Sequence, residues 1–351
     1  MHARVSGVHR SQAKPSAPRV SVVIAAYNSS IRLRCAVQSA LQQSFEDIEV
    51  IVVGDSCTDD SEGVLRSMRE PRIQWENLAT NWGEQSIPSN RGIELARGDF
   101  IFFLNQDDLW LPNHVAESLL MLEDLKLDAV WSPFLTIPAD ARPGAVRDGL
   151  SIKGLGPAHP RYDPHTFIPA SCTAWRAGAL RRIGGWRTAA EVGVSPSQDL
   201  LWRARGRGLS IRGKAQPTVL VLWSGVRPGS YLTSFQAEDN ISWLEAITLS
   251  PSVVVDEIQR AMNRSQLIRH RQRQLSSNLT ALIRVAQRKH YFIRIIVFRL
   301  IGLFSEAIGM HPKTAEVMWI YRRQGGFINH VRSINKLGRR DAYHQLLRRR
   351  K

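Results

Sequence analysis

Residues Phe100 to Asp108 read FIFFLNQDD and run straight into LWLP. Five apolar residues in succession describe a strand buried on both faces, as in parallel sheets whose helices cover them above and below. Here the strand leaves its sheet through two amides and two adjacent carboxylates. The fold therefore places negative charge at the tip of a core strand, and something must answer that charge.

The flanking sequence supplies the rest of the sheet. RVSVVIAA (19–26) and IEVIVV (48–53) read as strands, IQWENL (73–78) as a weaker one. Between them, Ile31 to Gln43 carries Leu33, Val37, Ala40 and Leu41 at helical spacing, and Thr58 to Met68 forms a second helix. Asp59 with Glu62 three residues on suits a capping box at its start. Ser89 to Ala96 is a helix before FIFFL, Pro112 opens another that continues to about Asp124, and LDAVWSP closes the series. Strands alternating with helices imply right-handed crossovers and a doubly wound, mainly parallel α/β sheet. Ligands bind such sheets beyond the carboxyl ends of the strands, where AAYN (25–28), GDSCTDDS (54–61) and NQDD (105–108) would converge.

The first strand ends in AYNSS, with neither a GxGxxG nor a GxxxxGK[ST] loop to cradle phosphate in backbone N–H groups. A divalent cation held by strand-end carboxylates neutralises a diphosphate directly and improves it as a leaving group.

Composition narrows the classes. A 351-residue chain that is 43% hydrophobic and 22% charged is ordinary globular usage with room for one or two domains. Cys35, Cys57 and Cys172 are scattered without a CxxC pair, which supports neither a disulfide framework nor a structural zinc site and suits a reducing cytosol. No stretch reaches the ~18 apolar residues of a spanning helix, so a soluble or peripheral protein is expected. The net charge of +16 is concentrated after residue 280, where sixteen Lys/Arg face three Asp/Glu.

Five segments, VSVVIAAYN, VIVVGDSCTDDS, SNRGIELARGDFIFFLNQDDLWLP, CTAWRAGALRRIGGW and SQDLLWRARGRG, occur in the order and approximate spacing of the family 2 glycosyltransferases, nucleotide-sugar transferases of GT-A fold. The resemblance covers about Arg19 to Tyr231. It implies that Ala26, Tyr27 and Asn28 line the nucleotide base, that Asp55 hydrogen-bonds the base, and that Asn90 belongs to the donor site. Asp107 matches the DxD aspartate that binds a Mn or Mg ion, with Asp108 as a second candidate ligand and Gln106 beside the ribose. Asp199 matches the general base of inverting members. A single displacement at an anomeric carbon also asks for one base opposite the leaving group and no covalent nucleophile. Each carboxylate has a plainer reading: Asp107 and Asp108 precede a helix start, Asp55 sits in a turn, and Asp199 lies in a first helical turn. His159 and His165 read as loop residues in a Gly/Pro-rich segment.

Departures from the family pattern are specific. Asn105 stands where the DxD motif begins with Asp, Gln198 where Glu usually precedes the base, Ser89 where Arg often precedes the helix Asn, and Arg227 where relatives supply a late His. The Arg227 guanidinium could pair with phosphate without a metal.

The expected organisation is a lead-in over 1–18, a GT-A domain over 19–235 and a helical, basic region over 236–351. SFQAEDNISWLEAITL and the segment after Pro251 read as helices. YFIRIIVFRLIGLF, with Arg294 and Arg299, suits either a helix packed on the domain or one lying on an anionic membrane surface. The leading expectation is an inverting, metal-assisted transfer of a sugar from a nucleoside diphosphate donor to a glycan or lipid-linked acceptor, at a cytoplasmic and peripheral location. The rival is a non-catalytic binding or scaffold protein on the same fold. No nucleic-acid partner is expected, because no recognition motif accompanies the basic tail.

Overall fold

The computed structural model describes residues 17–145, 149–155, 162–164, 166–192, 194–222 and 237–277, with 302–303, 306–307, 309 and 311. Arg227, His159, His165, nearly all of YFIRIIVFRLIGLF and the basic tail lie outside the described residues, as does most of the lead-in.

VSVVIAA forms β1 (Val20–Ala26) and IEVIVVG forms β2 (Ile48–Gly54), buried along almost their whole length. They pair in parallel from Val20 opposite Ile48 to Ala26 opposite Gly54, so both end level. β3 (Ile73–Asn77) extends this edge, with Asn77 opposite Gly54. FIFF forms β4 (Phe100–Phe103) on the other side of β1, with Phe103 opposite Val23. β6 (Ala129–Trp131), β9 (Thr173–Arg176) and β10 (Ile211–Gly213) complete seven strands in the order β10-β6-β9-β4-β1-β2-β3.

The sheet is mainly parallel, as expected, but LDAVWSP does not close it. β9 runs antiparallel to both β4 and β6. The reason lies just before it, in a 3-10 turn at Ala170–Cys172. Ser171 of this turn meets Asn105 and Asp108 beyond the carboxyl end of β4, so TAWR can only run back down between its neighbours.

A second sheet, absent from the expectation, contains β5 (Leu109–Trp110), β7 (Phe134–Ile137), β8 (Ser151–Lys153) and β11 (Val219–Leu222), in the order β5-β11-β7-β8. Its apolar face, with Leu109, Leu135 and Leu220, packs on Trp243 and Ile247 of α7 (Glu238–Leu249) and on Val254 and Ile258 of α8 (Pro251–Ser277). The expected boundary at 235/236 falls outside the described residues, and the helices beyond it share this core. Pro251 occupies the first position of α8, where its missing N–H costs no hydrogen bond.

The remaining helices are α1 (Ser30–Leu41), α2 (Ser61–Ser67), α3 (Ser86–Leu95), α4 (His114–Asp124), α5 (Ala177–Arg182) and α6 (Pro196–Gly206). α3 starts three residues earlier than the sequence suggested, because Pro88 is tolerated in a first turn. The capping box at α2 does not form. Glu62 pairs with Arg66 one turn on, and Asp59 bridges two helix starts: Oδ1 accepts from Ser61 N at 3.2 Å, and Oδ2 from Ser29 N and Ser30 N of α1 at 2.7 and 2.9 Å. Its part burial pushes the Asp59 carboxyl up, but the hydrogen bonds from Ser61, Ser29 and Ser30 prevail and hold it below the usual range. Among the described residues no helix is long and apolar enough to cross a membrane.

Candidate active site

The chain beyond the carboxyl ends of β1, β2 and β4 is tied together by side chains that the sequence marks as site residues. Asp55 N donates to Ala26 O at 2.7 Å, fastening the second tip to the first. Asn28, at a φ of 34° in the left-handed region Asn tolerates, accepts from Thr58 N at 2.8 Å and Asp59 N at 3.3 Å. From the third tip, Gln106 Oε1 accepts from Tyr27 N at 2.8 Å while Gln106 Nε2 donates to Tyr27 O at 3.1 Å. A side-chain amide carries an acceptor and a donor side by side, which suits this pairing with a backbone N–H and C=O. Gln106 therefore braces the first strand tip, where the resemblance places the ribose.

Asp55 is buried, and its carboxylate organises the next loop. Oδ1 accepts from Trp82 N at 2.8 Å, Oδ2 from Gly83 N at 2.7 Å, and Asn81 Nδ2 returns to Asp55 O at 2.7 Å.

The NQDD turn separates its two carboxylates. Asp107 is half-buried, and its backbone carbonyl accepts from Asn240 Nδ2 of α7 at 2.8 Å. Asp108 is buried: Oδ2 accepts from Asn105 Nδ2 at 2.9 Å and from Ser171 Oγ, and Oδ1 accepts from Leu222 N at 3.3 Å. Burial, and then the adjacent Asp107 charge, push the Asp108 carboxyl well above its ordinary range, against the pull of those three donors. These three donors tie the Asp108 carboxyl to the turn, to the 170–172 turn and to the end of β11. Among the described residues no three His, Cys, Asp or Glu side chains gather as a metal cluster.

Asp199 lies in the first turn of α6 and is buried. Its Oδ2 accepts from Arg203 Nε at 2.7 Å, and Arg187 stands 3.9 Å from Oδ1. Arg203, half-buried, also donates to Ile183 O at 2.6 Å and Gly185 O at 2.5 Å, fixing α6 to the 183–187 turn. Trp186 of that turn packs edge-on against Phe103 at the end of β4, with centroids 4.9 Å apart. Asn90 belongs to this group and not to the three strand tips: its Oδ1 accepts from Trp186 N and its Nδ2 donates to Trp186 O, at 2.8 and 2.9 Å.

Asn28, Gln106 and Asp55 thus meet at one edge, and Asn90 and Asp199 converge on the neighbouring 183–187 turn. Sequence reasoning missed Arg203, Asp59, Ser171 and Asn240. The first has a sequence signal, since Asp199 and Arg203 stand four apart on one helix face. The others act across more than 25 positions and leave no local trace.

The chain is similar to known proteins over part of its length. Residues 21–184, a little under half of the chain, match the model of Glycosyl transferase family 2. Among relatives, it is 31% identical over 116 residues to WfaP of Escherichia coli, a UDP-Glc:alpha-D-GlcNAc-diphosphoundecaprenol beta-1,3-glucosyltransferase, covering 33% of this chain and 45% of that one. It is also 31% identical over 153 residues to the succinoglycan biosynthesis protein ExoO of Rhizobium meliloti, covering 44% and 41%. The chain spans less than half the length of these two relatives. The fold is shared with S. aureus TarS 1–349 in complex with UDP, at TM-score 0.50 and 15% identity, over 91% of this chain and 90% of that one.

Proposed function

We propose that this protein is an inverting glycosyltransferase that moves a sugar from a nucleoside diphosphate, a UDP-sugar first among them, to a hydroxyl of a glycan or lipid-linked glycan. The observation that carries this reading is the clasp between Tyr27 and Gln106. It locks the tips of β1 and β4 side by side at the carboxyl edge of the sheet, with Asp107 next in the chain. The family match and the UDP-glucose and lipid-linked substrates in the name of WfaP favour the same chemistry.

In this reading Ala26, Tyr27 and Asn28 line the base, and Asp55 shapes the floor beneath it by folding residues 81–83 onto its carboxylate. Asp107 would hold the Mn or Mg ion, and a single protein carboxylate suits an ion that takes its other oxygens from the diphosphate and water. When bound, that ion supplies positive charge to the leaving group. Asp199 takes the proton of the acceptor hydroxyl through Oδ1, while the Arg203 bond to Oδ2 keeps the carboxylate from turning. The basic region beyond residue 280 gives a lipid-linked acceptor a membrane contact at the cytoplasmic face.

The test is a thermal-shift titration with UDP, dTDP and GDP, each with Mn ion, Mg ion or chelator. Saturation at about a hundred times the dissociation constant stabilises the native state by about 2.7 kcal/mol, and UDP with metal should do so most strongly. An equal shift in chelator removes the metal from Asp107. No shift with any nucleotide leaves the non-catalytic reading of the fold standing.

A further inference from the structure

We propose that Glu84 is a positioning residue that ties the loop folded on Asp55 to the loop carrying Arg187, and that it holds Arg187 in register with Asp199 only while it carries a proton. The inference rests on the transferase reading for its consequence and on hydrogen-bond geometry for its substance. Asp55 receives the N–H groups of Trp82 and Gly83, which leaves Glu84 next in line. Its two carboxyl oxygens lie 3.0 and 2.8 Å from Ala189 N, and Oε2 lies 3.0 Å from Ser86 Oγ. Ser86 is fully buried, and its Oγ stands 2.9 Å from the backbone oxygen of Arg187.

A hydroxyl has one hydrogen, and Ser86 faces two acceptors. With Glu84 ionised, that hydrogen goes to the carboxylate and Arg187 O loses its partner. With Glu84 protonated, the chain closes: Glu84 O–H donates to Ser86 Oγ, Ser86 O–H donates to Arg187 O, and Ala189 N still has an acceptor. The two loops are joined without a gap only in the protonated state. That carbonyl is the backbone of Arg187 itself, whose guanidinium then stands 3.9 Å from Asp199 Oδ1.

The surroundings favour the proton. Burial pushes the Glu84 carboxyl up to about 7, the Ala189 and Ser86 hydrogen bonds pull it back, and the charges of Asp55 from the β2 tip and Glu191 from the 187–191 loop push it further. Glu191 is fixed in place by Thr188 N and Thr188 Oγ1, each at 2.8 Å. Between the unfolded value of 4.5 and about 7 the folded chain keeps a proton that the unfolded chain has lost. The stability this confers is present below the lower value and is lost as pH rises through the upper one.

The experiment compares pH profiles of kcat and KM for the full chain, E84Q and E84A, using the sugar nucleotide whose nucleotide raises the melting temperature. The wild-type kcat should fall by about tenfold per pH unit above about 7, with donor KM changing little. E84Q, whose amide donates to Ser86 and accepts from Ala189, should restore a near-neutral kcat and lack that limb. E84A should lose about tenfold or more at every pH. The same limb in E84Q, or an unaltered kcat in E84A, overturns the proposal. Melting temperature is followed over pH 5 to 8 in parallel, where the wild type should decline and E84Q should not. That arm needs no turnover, so equal slopes overturn the relay, while a difference in slope without any transfer counts against the transferase reading alone.

Discussion

Asn105 shows how the surroundings of one residue decide its chemistry. Its Nδ2 donates to Asp108, which already receives Ser171 Oγ and Leu222 N. An aspartate at 105 would set a second acceptor against a buried carboxyl and offer no hydrogen, so the amide here holds the turn and leaves charge to Asp107. The departure from the DxD pattern at 105 thus has a structural partner in this turn. Asp199 differs, because its bond to Arg203 leaves Oδ1 with only the more distant Arg187 among the contacts described. Asp199→Asn keeps an acceptor for Arg203, and should lower kcat by about 10² to 10⁴-fold while the nucleotide-induced rise in melting temperature persists. Unchanged turnover takes Asp199 out of the reaction.

At the level of elements, the long parallel strands were legible because burial on both faces writes itself as an unbroken apolar run, as in VSVVIAA and IEVIVVG. The short ones were not. TAWR carries no period, and its direction is set by Ser171 meeting the NQDD turn, a contact 63 positions long in sequence. The two-residue β5 acquires its identity only from β11. Asp59 was misread for the same reason: the local rule paired it with Glu62, whereas the first turn of α1 lies closer in space. The helices in turn pack tightly enough to test. On α3, a Cβ added to Gly92 would stand 2.3 Å from Val23 Cγ1 of β1. Gly92→Ala should therefore destabilise by about 1–3 kcal/mol, a fall of several degrees in melting temperature, despite alanine's better helix propensity. A stabilised variant would show that α3 can lift away from the sheet.

For the molecule as a whole, two cores matter: one around the large sheet, and one in which the small sheet packs on α7 and α8. Beyond residue 280 the described residues meet α6, where Glu306 pairs with Arg205 at 3.3 Å, Gly309 O lies 3.4 Å from Trp202 Nε1, and the buried His311 ring stands edge-on to Trp202 with centroids 5.6 Å apart. The exposed Glu306–Arg205 pair stabilises little. Ending the chain after Ser277 should leave both cores intact and abolish co-sedimentation with anionic liposomes at moderate salt, whereas the full chain sediments and is released as salt rises. Equal sedimentation of the two would move the membrane contact to the body. The bond from Asn240 to the Asp107 carbonyl carries a consequence for what counts as the working unit. The stretch that matches the family stops at residue 184, yet the backbone of the proposed metal-bearing aspartate is clipped by a side chain 133 positions later. A fragment trimmed to the family motifs would keep every strand tip and lose the clip. The C-terminal helices are thus a jig for the NQDD turn, holding it from outside the segment that matches the family.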